Sequence, residues 1–174
     1  VRPEPLREPR FVLDNHLGKL ANYLRLLGFD TLYENDYHDA ELAEISHSQG
    51  RILLTRDRGL LKRKIVTHGY CVRDSDPSAQ LVDVLRRFDL NDLVSPFTRC
   101  ARCNGILESA PKHDVLDELE PLTKKYYESF QQCQDCEQVY WRGSHFERMD
   151  SFIEEIVAQR GAKTSNLWES CHGE

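Results

Sequence analysis

Between residues 11 and 88, short apolar runs alternate with longer segments whose apolar residues recur at helical spacing. Parallel strands need a long crossover between them, and a helix usually supplies it. The alternation therefore predicts an α/β fold, in which helices cover both faces of a parallel sheet. The predicted strands are 11–13, 29–33, 52–55 and 70–73, and the predicted helices are 15–27, 39–49, 58–67 and 77–88.

Acidic residues follow the ends of these predicted strands. In a parallel sheet with right-handed crossovers, the strand-to-helix junctions lie at one edge, and ligands bind there. Aspartates that are distant in sequence are therefore expected to converge at that edge. They are Asp14, Asp39, Asp57, Asp74 and Asp76.

Each of these aspartates also has a purely structural interpretation, because Asp is a favoured helix N-cap and turn residue. Asp39 suits a cap and a metal ligand equally. Asp74 and Asp76 are better explained as turn residues. Asp14 and Asp57 follow apolar strands directly, which favours a functional role for both.

Carboxylates that converge need a cation or a proton. Two of them about 4 Å apart repel by about 4 kcal/mol at an effective dielectric constant of about 20. Ligands that are all oxygen favour Mg²⁺ or Mn²⁺. Such sites support phosphoryl chemistry, because the metal lowers the pKa of bound water.

The formal net charge of −6 argues against a general nucleic-acid-binding protein, but the charges are unevenly distributed. Residues 34–48 hold five acids and no Lys or Arg, whereas residues 51–73 hold seven bases and one acid. This pattern suits a metal site beside a phosphate-binding surface, although two solvated faces of opposite charge would also produce it. The bases that could hold a phosphate backbone are Arg56, Arg58, Lys62, Arg63 and Lys64.

Two Cys-x-x-Cys pairs, Cys100 with Cys103 and Cys133 with Cys136, are separated by 29 residues. This spacing is typical of a closed, structural Cys₄ zinc site. Such a small module would depend on the ion, whose binding supplies about 10–16 kcal/mol. Thiols held by a metal rather than in disulfides fit a reducing, cytoplasmic location.

The residues after the second pair have two interpretations. Trp141, Arg142 and His145 could contact nucleic acid, because aromatic rings stack on bases and Arg pairs with phosphate. Alternatively, Trp141 packs the core of the small module and His145 caps the helix that follows.

The predicted organisation is a linker at 1–9, an α/β domain at 10–95, a zinc ribbon with a C-terminal helix at 96–160, and a disordered tail at 161–174. The Pro-rich start without Met suggests an additional domain upstream on a longer chain. No apolar run reaches the roughly 18 residues of a membrane-spanning helix, so no membrane partner is expected.

Several motifs resemble one family. The segment FVLDNHLGKLANYLRLLGFDT (11–31) resembles the opening of the Mut-seven C-terminal RNase domain, a PIN-like nuclease family. LLTRDRGLL (53–61) resembles its second signature, and the two cysteine pairs with YWRGSH (140–145) resemble its zinc ribbon. The resemblance implies a PIN-like three-layer α/β/α fold, a Cys₄ zinc ribbon and metal-dependent cleavage of RNA.

The resemblance also places the family's catalytic, metal-binding acids on Asp14, Asp39 and Asp57. Glu41 could share the role of Asp39, and Asp74 or Asp76 could supply a fourth ligand. The leading hypothesis is a Mg²⁺- or Mn²⁺-dependent ribonuclease that hydrolyses RNA phosphodiester bonds, with DNA also compatible. The alternatives are a non-catalytic RNA- or protein-binding module on a PIN-like scaffold, and a hydrolase of small phosphate compounds.

Overall fold

A parallel sheet organises the first half of the chain in the computed structural model, which describes residues 8–169. Its strands are β1 (Phe11–Leu13), β2 (Thr31–Leu32), β3 (Ile52–Thr55) and β4 (Gly69–Cys71). They lie in the order β2-β1-β3-β4, and each neighbouring pair is parallel. The predicted α/β fold with a parallel sheet is therefore confirmed.

Helices pack against both faces of this sheet. On one face, Val12 and Leu53 form a buried cluster with Leu42, Ala43 and Leu60. Because neighbouring residues of a strand point to opposite faces, Phe11 lies on the other face, where its ring meets those of Phe29 and Phe88 edge-on. The helices are α1 (Gly18–Leu26), α2 (Asp39–Gln49), α3 (Arg58–Leu61) and α4 (Pro77–Arg87).

The predicted helix at 58–67 is wrong in its length, since α3 ends at Leu61. The amides of Lys62, Arg63 and Val66 donate to carbonyls three residues earlier, so the chain continues as tight turns. The β-branched run at 65–67 disfavours a helix, and Val66 packs against the cluster around Leu53. The bases at 62–64 therefore stand on turns.

The strand order creates a crevice between β1 and β3. The chain leaves β1 for β2 on one side and leaves β3 for β4 on the other, so the connections diverge between the two central strands. Open α/β sheets bind ligands at such a point, beyond the carboxyl ends of the strands. The backbone amide of Asp14 donates to the carbonyl of Leu54 (3.0 Å), which fixes the chain just past β1 against β3.

The first cysteine pair belongs to the first compact unit, which extends to Leu107 rather than to the predicted boundary at 95. Buried Arg25 donates from Nη1 to the carbonyls of Ala101 and Arg102, each at 3.2 Å. Asn104 accepts from the Thr31 amide (2.9 Å) and donates to Asp30 (2.7 Å). These bonds tie residues 101–104 to the sheet, although a change in composition at Pro96 predicts a boundary there.

The second unit contains a small sheet in the order β5-β6-β7. Its core consists of Val115, Leu119, Phe130 and Val139, against which Trp141 packs. Strands β6 and β7 are antiparallel. The elements are β5 (Leu107–Ala110), α5 (Lys112–Val115), α6 (Pro121–Tyr126), β6 (Phe130–Cys133), β7 (Val139–Trp141) and α7 (Ser144–Glu169).

Helix α7 continues through residues 161–169, where the sequence predicts disorder. This segment is polar, but polar residues with helical propensity extend a helix without breaking it. The predicted linker residues 1–7 and tail residues 170–174 lie outside the described residues. Among the helices within residues 8–169, none combines the length and the hydropathy of a membrane-spanning segment.

Arg51 links three segments of the first unit. Its side chain is only 7% exposed and pairs with Asp30 at 2.8 Å. Nη1 also donates to the carbonyl of Phe11 (3.2 Å). Burial alone would raise the pKa of Asp30, but hydrogen bonds from Arg51 and Asn104, with the nearby positive charges, hold that pKa below its ordinary value. The pair is therefore ionised at neutral pH.

Replacing Arg51 by Met is expected to lower the free energy of unfolding by about 3–5 kcal/mol, because Asp30 would keep a partly buried charge without its partner. Urea denaturation would measure the change. Exposed Arg86 on α4 offers a matched control, and Arg86→Met is expected to stay within about 0.5 kcal/mol of the parent. Equal stability of the two variants would contradict this role for Arg51.

Candidate active site and metal centre

Asp14 follows β1 and is held by two hydrogen bonds. It is 8% exposed, and its Oδ1 accepts from the Asn15 amide at 2.7 Å. Its Oδ2 accepts from the hydroxyl of Thr55, the last residue of β3, at 2.8 Å. The carboxylate is therefore fixed at the crevice between the two central strands.

Thr55 connects Asp14 to Asp57. The Thr55 side chain is fully buried, and its Oγ1 accepts from the Asp57 amide at 3.0 Å while it donates to Asp14. Asp57 is the N-cap of α3, and its Oδ1 accepts from the Gly59 amide at 2.7 Å. The Thr55 hydroxyl thus fixes the positions of both the Asp14 carboxylate and the backbone at Asp57.

Asp39 is the first residue of α2, and the N-cap is His38. Glu41 Oε2 accepts from the His38 amide at 2.8 Å in a capping box, so the sequence-predicted partner of Asp39 serves the helix end. The Asp39 carboxylate is exposed and makes no hydrogen bond with any described residue. It is therefore the acid at this helix end that remains available for a ligand.

The three aspartates line one open cleft of about 600 Å³. Within residues 8–169, the four cysteines are the one group of three or more His, Cys, Asp or Glu side chains close enough to share a metal ion. The aspartates therefore share a cleft without forming a compact three-carboxylate group. Residues that line the cleft include Asp14, Asp39, Asp57, His16, His38 and Arg63.

Asp74 and Asp76 lie outside the lining of this cleft. Asp76 is the N-cap of α4, and its Oδ2 accepts from the Ala79 amide at 2.9 Å. Asp74 accepts from the amide of Asp76 at 3.0 Å. Both side chains thus make the cap and turn contacts that the structural interpretation of the sequence favours.

The basic segment contributes one side chain to the cleft, that of Arg63. The other four predicted phosphate contacts are exposed but do not line the cleft. They are Arg56, Arg58, Lys62 and Lys64.

The four predicted zinc ligands come together. The ligand atoms of Cys100, Cys103, Cys133 and Cys136 lie within 4.8 Å of one another, and none of these cysteines is in a disulfide. Cys100 and Cys133 are buried. The arrangement is consistent with a zinc ribbon, because four thiolates in one small cluster are the donor set of a structural zinc site.

The backbone around each pair also fits thiolate ligands. Cys133 Sγ accepts from the amides of Asp135 (3.4 Å) and Cys136 (3.5 Å), and Cys103 Sγ accepts from Gly105 (3.4 Å). Amide donors stabilise negative sulfur. The residue after each pair, Asn104 or Glu137, has a positive φ, so both turns have the same form.

The ribbon residues predicted to contact nucleic acid differ in their burial and contacts. Trp141 packs against the core, with its ring 6.4 Å from that of Phe130. The Arg142 guanidinium is exposed and lies over the Phe146 ring at 5.1 Å. His145 is within α7, but its side chain lies outside the described residues. The core interpretation therefore applies to Trp141.

Thr55, His16 and His38 were not identified as site residues from the sequence. Thr55 ends an apolar run and precedes Arg56, so the sequence indicates only the end of a strand there. His16 follows Asp14 by two residues on a turn of 3₁₀ helix, Asn15–Leu17, that the sequence does not separate from α1. For Thr55 and His16 the available signal was a position at or just after a strand end, since cleft residues concentrate there. For His38 it was the position directly before Asp39 at the start of α2.

The sequence matches the model of one family. The model of the Mut7-C RNAse domain matches residues 9–153, which include the three aspartates and both cysteine pairs. No curated protein and no solved structure matches the chain. Because the family match covers most of the 174 residues, this chain belongs to the Mut7-C RNAse domain family.

Proposed function

We propose that the chain is a divalent-metal-dependent ribonuclease that hydrolyses RNA phosphodiester bonds in the cleft lined by Asp14, Asp39 and Asp57. The observation that carries the proposal is that these acids line one cleft beside the divergence of β1 and β3, in a member of an RNase domain family. A PIN-like α/β/α arrangement for this domain is part of the same proposal.

The donors in the cleft suit Mg²⁺ or Mn²⁺. These ions bind through one or two carboxylates and keep several waters, so a compact set of three acids is not required. Asp14, Asp39 and Asp57 are the candidate ligands: one or two of them would bind the ion directly, and the remainder would bind through its waters. When bound, it would supply Lewis-acid stabilisation of a phosphate and activation of water.

The chain's own residues have separate tasks in this proposal. Thr55 orients the Asp14 carboxylate toward the cleft and positions the chain that carries Asp57. Arg63 supplies positive charge for a phosphate oxygen of the substrate. The cysteine cluster holds structural zinc, so its role is stability rather than chemistry.

The substrate class can be tested with three substrates at equal Mn²⁺ concentration: single-stranded RNA, single-stranded DNA of the same sequence, and a small phosphate ester. Cleavage of the RNA is expected, with much slower turnover of the ester. Rapid turnover of the ester alone would indicate a hydrolase of small phosphate compounds. RNA binding without any cleavage would indicate the binding module, which the spread of the carboxylates favours.

Replacing Thr55 by Val is expected to slow RNA cleavage about 10- to 100-fold, because a small misplacement of a reacting group is sufficient for such a loss. Val keeps the shape of Thr but cannot donate to Asp14 or accept from the Asp57 amide. Thr55→Ser keeps the hydroxyl and is the matched control, with a rate near the parent's. Single-turnover kinetics would measure both, and equal rates for Val and Ser would contradict the positioning role.

A further inference from the structure

A second cleft of about 270 Å³ lies in the first unit. It differs in charge from the cleft lined by Asp14, Asp39 and Asp57, which we call the acid cleft. It is lined by Lys19, Asn22, Arg25 and Arg102, together with Tyr33 and Gly18. Among the described residues that line it, none is acidic. In a chain with a net charge of −6, a cleft with only basic and neutral lining residues is suited to an anion.

The fold holds the Arg25 side chain in this cleft and brings the exposed Lys19 and Arg102 to it. Arg25 is buried, donates from Nε to the carbonyl of Thr31 (2.9 Å) and also donates to the carbonyls of Ala101 and Arg102. Arg102 therefore stands on a turn that is fixed to α1, while exposed Lys19 is in the first turn of the same helix. Lys19 and Arg102, which are distant in the sequence, thus line one cleft together with Arg25.

The second cleft is connected to the acid cleft through the chain. Tyr33 Oη donates to the carbonyl of Asn15 at 2.8 Å, and Asn15 follows Asp14. A side chain at Gly18 would approach Tyr33 Oη to 2.8 Å, so glycine allows the ring to lie against the start of α1. The short segment 14–19 therefore contributes to both clefts.

We propose that this second cleft binds a backbone phosphate of the single-stranded RNA whose scissile bond lies in the acid cleft. The proposal rests on the proposed function and adds a binding site to it. Lys19 and Arg102 supply the charge, and Asn22 supplies an amide donor. Single-stranded nucleic acids are bound by basic grooves that follow the backbone, which suits an open cleft better than a closed pocket.

The test compares RNA binding by Lys19→Gln/Arg102→Gln with binding by Arg86→Gln/Lys124→Gln. Both pairs remove two positive charges, and Arg86 and Lys124 line neither cleft. All proteins carry Asp57→Asn, so that the labelled RNA stays intact, and are compared with Asp57→Asn alone by fluorescence anisotropy. Repeating the titrations over a range of salt concentrations gives the number of phosphates neutralised.

Lys19→Gln/Arg102→Gln is expected to raise the Kd at low salt by about tenfold or more, and to reduce the slope of log Kd against log salt by about 0.7, the value for one phosphate of a single strand. The control pair is expected to change both values much less. Equal Kd values and slopes for the two pairs would overturn the phosphate site.

Cleavage by the parent separates the two proposals. If the parent does not cleave RNA but Lys19→Gln/Arg102→Gln still weakens binding specifically, the phosphate site stands and the ribonuclease fails. If the parent cleaves RNA but the two pairs bind alike, the ribonuclease stands and the phosphate site fails.

Discussion

Replacing Asp57 by Asn is expected to reduce RNA cleavage at least about a hundredfold, because it removes a negative charge that would hold the catalytic cation in the cleft. The fold should tolerate the change. Asn is as good an N-cap as Asp, so the Gly59 amide keeps an acceptor at the start of α3. The rate of cleavage under single-turnover conditions, together with an unchanged thermal midpoint, would establish that chemistry rather than stability is lost.

Asp76 provides a control of the same kind. It also caps a helix after a strand of the parallel sheet, but it does not line the cleft. Asp76→Asn is therefore expected to cleave RNA at close to the parental rate. If both asparagine variants kept the parental rate, the acid cleft would not be the site of cleavage.

Replacing Cys133 by Ser is expected to abolish most zinc binding and to destabilise the second unit. Zinc supplies about 10–16 kcal/mol to modules of this size, and a serine hydroxyl is a poor substitute for a thiolate. Cys133 is buried, and its Sγ accepts hydrogen bonds from two backbone amides. The variant therefore also removes the sulfur acceptor of those two amides. Elemental analysis would measure the zinc, and hydrogen exchange in β6 and β7 would measure the loss of protection.

Cys71→Ser is the matched control for that experiment. Cys71 lies in β4 outside the cluster, and its Sγ donates weakly to the carbonyl of Arg56 at 3.9 Å. This variant is expected to retain about one zinc per chain. Equal zinc content in the Cys133 and Cys71 variants would contradict a Cys₄ site.

The local features of the fold were predictable because they depend on neighbouring residues. The apolar runs at 11–13 and 52–55 coincide with β1 and β3, and α2 ends where predicted because Gly50 follows it in a left-handed conformation. The meeting of the four cysteines followed from their spacing, since Cys-x-x-Cys pairs have few other uses inside one chain.

The features that the sequence did not reveal depend on contacts between distant residues. The bond between Thr55 and Asp14 requires β1 and β3 to be neighbours, and strand order cannot be read from periodicity. The sequence does not indicate that Arg25 is buried, because its burial depends on hydrogen bonds to the carbonyls of Ala101 and Arg102. The choice of His38 over Asp39 as the N-cap similarly depends on the backbone where α2 begins.

The most direct test of a metal-dependent ribonuclease is the cleavage of labelled single-stranded RNA by the zinc-loaded protein with Mn²⁺, with Mg²⁺ and without either ion. Asp14→Asn is measured alongside, because Asp14 is the acid held most firmly in the cleft. We expect cleavage that requires one of the added ions and is lost in the variant. Cleavage that is independent of the ions and of Asp14, or RNA binding with no cleavage under any condition, would contradict the account.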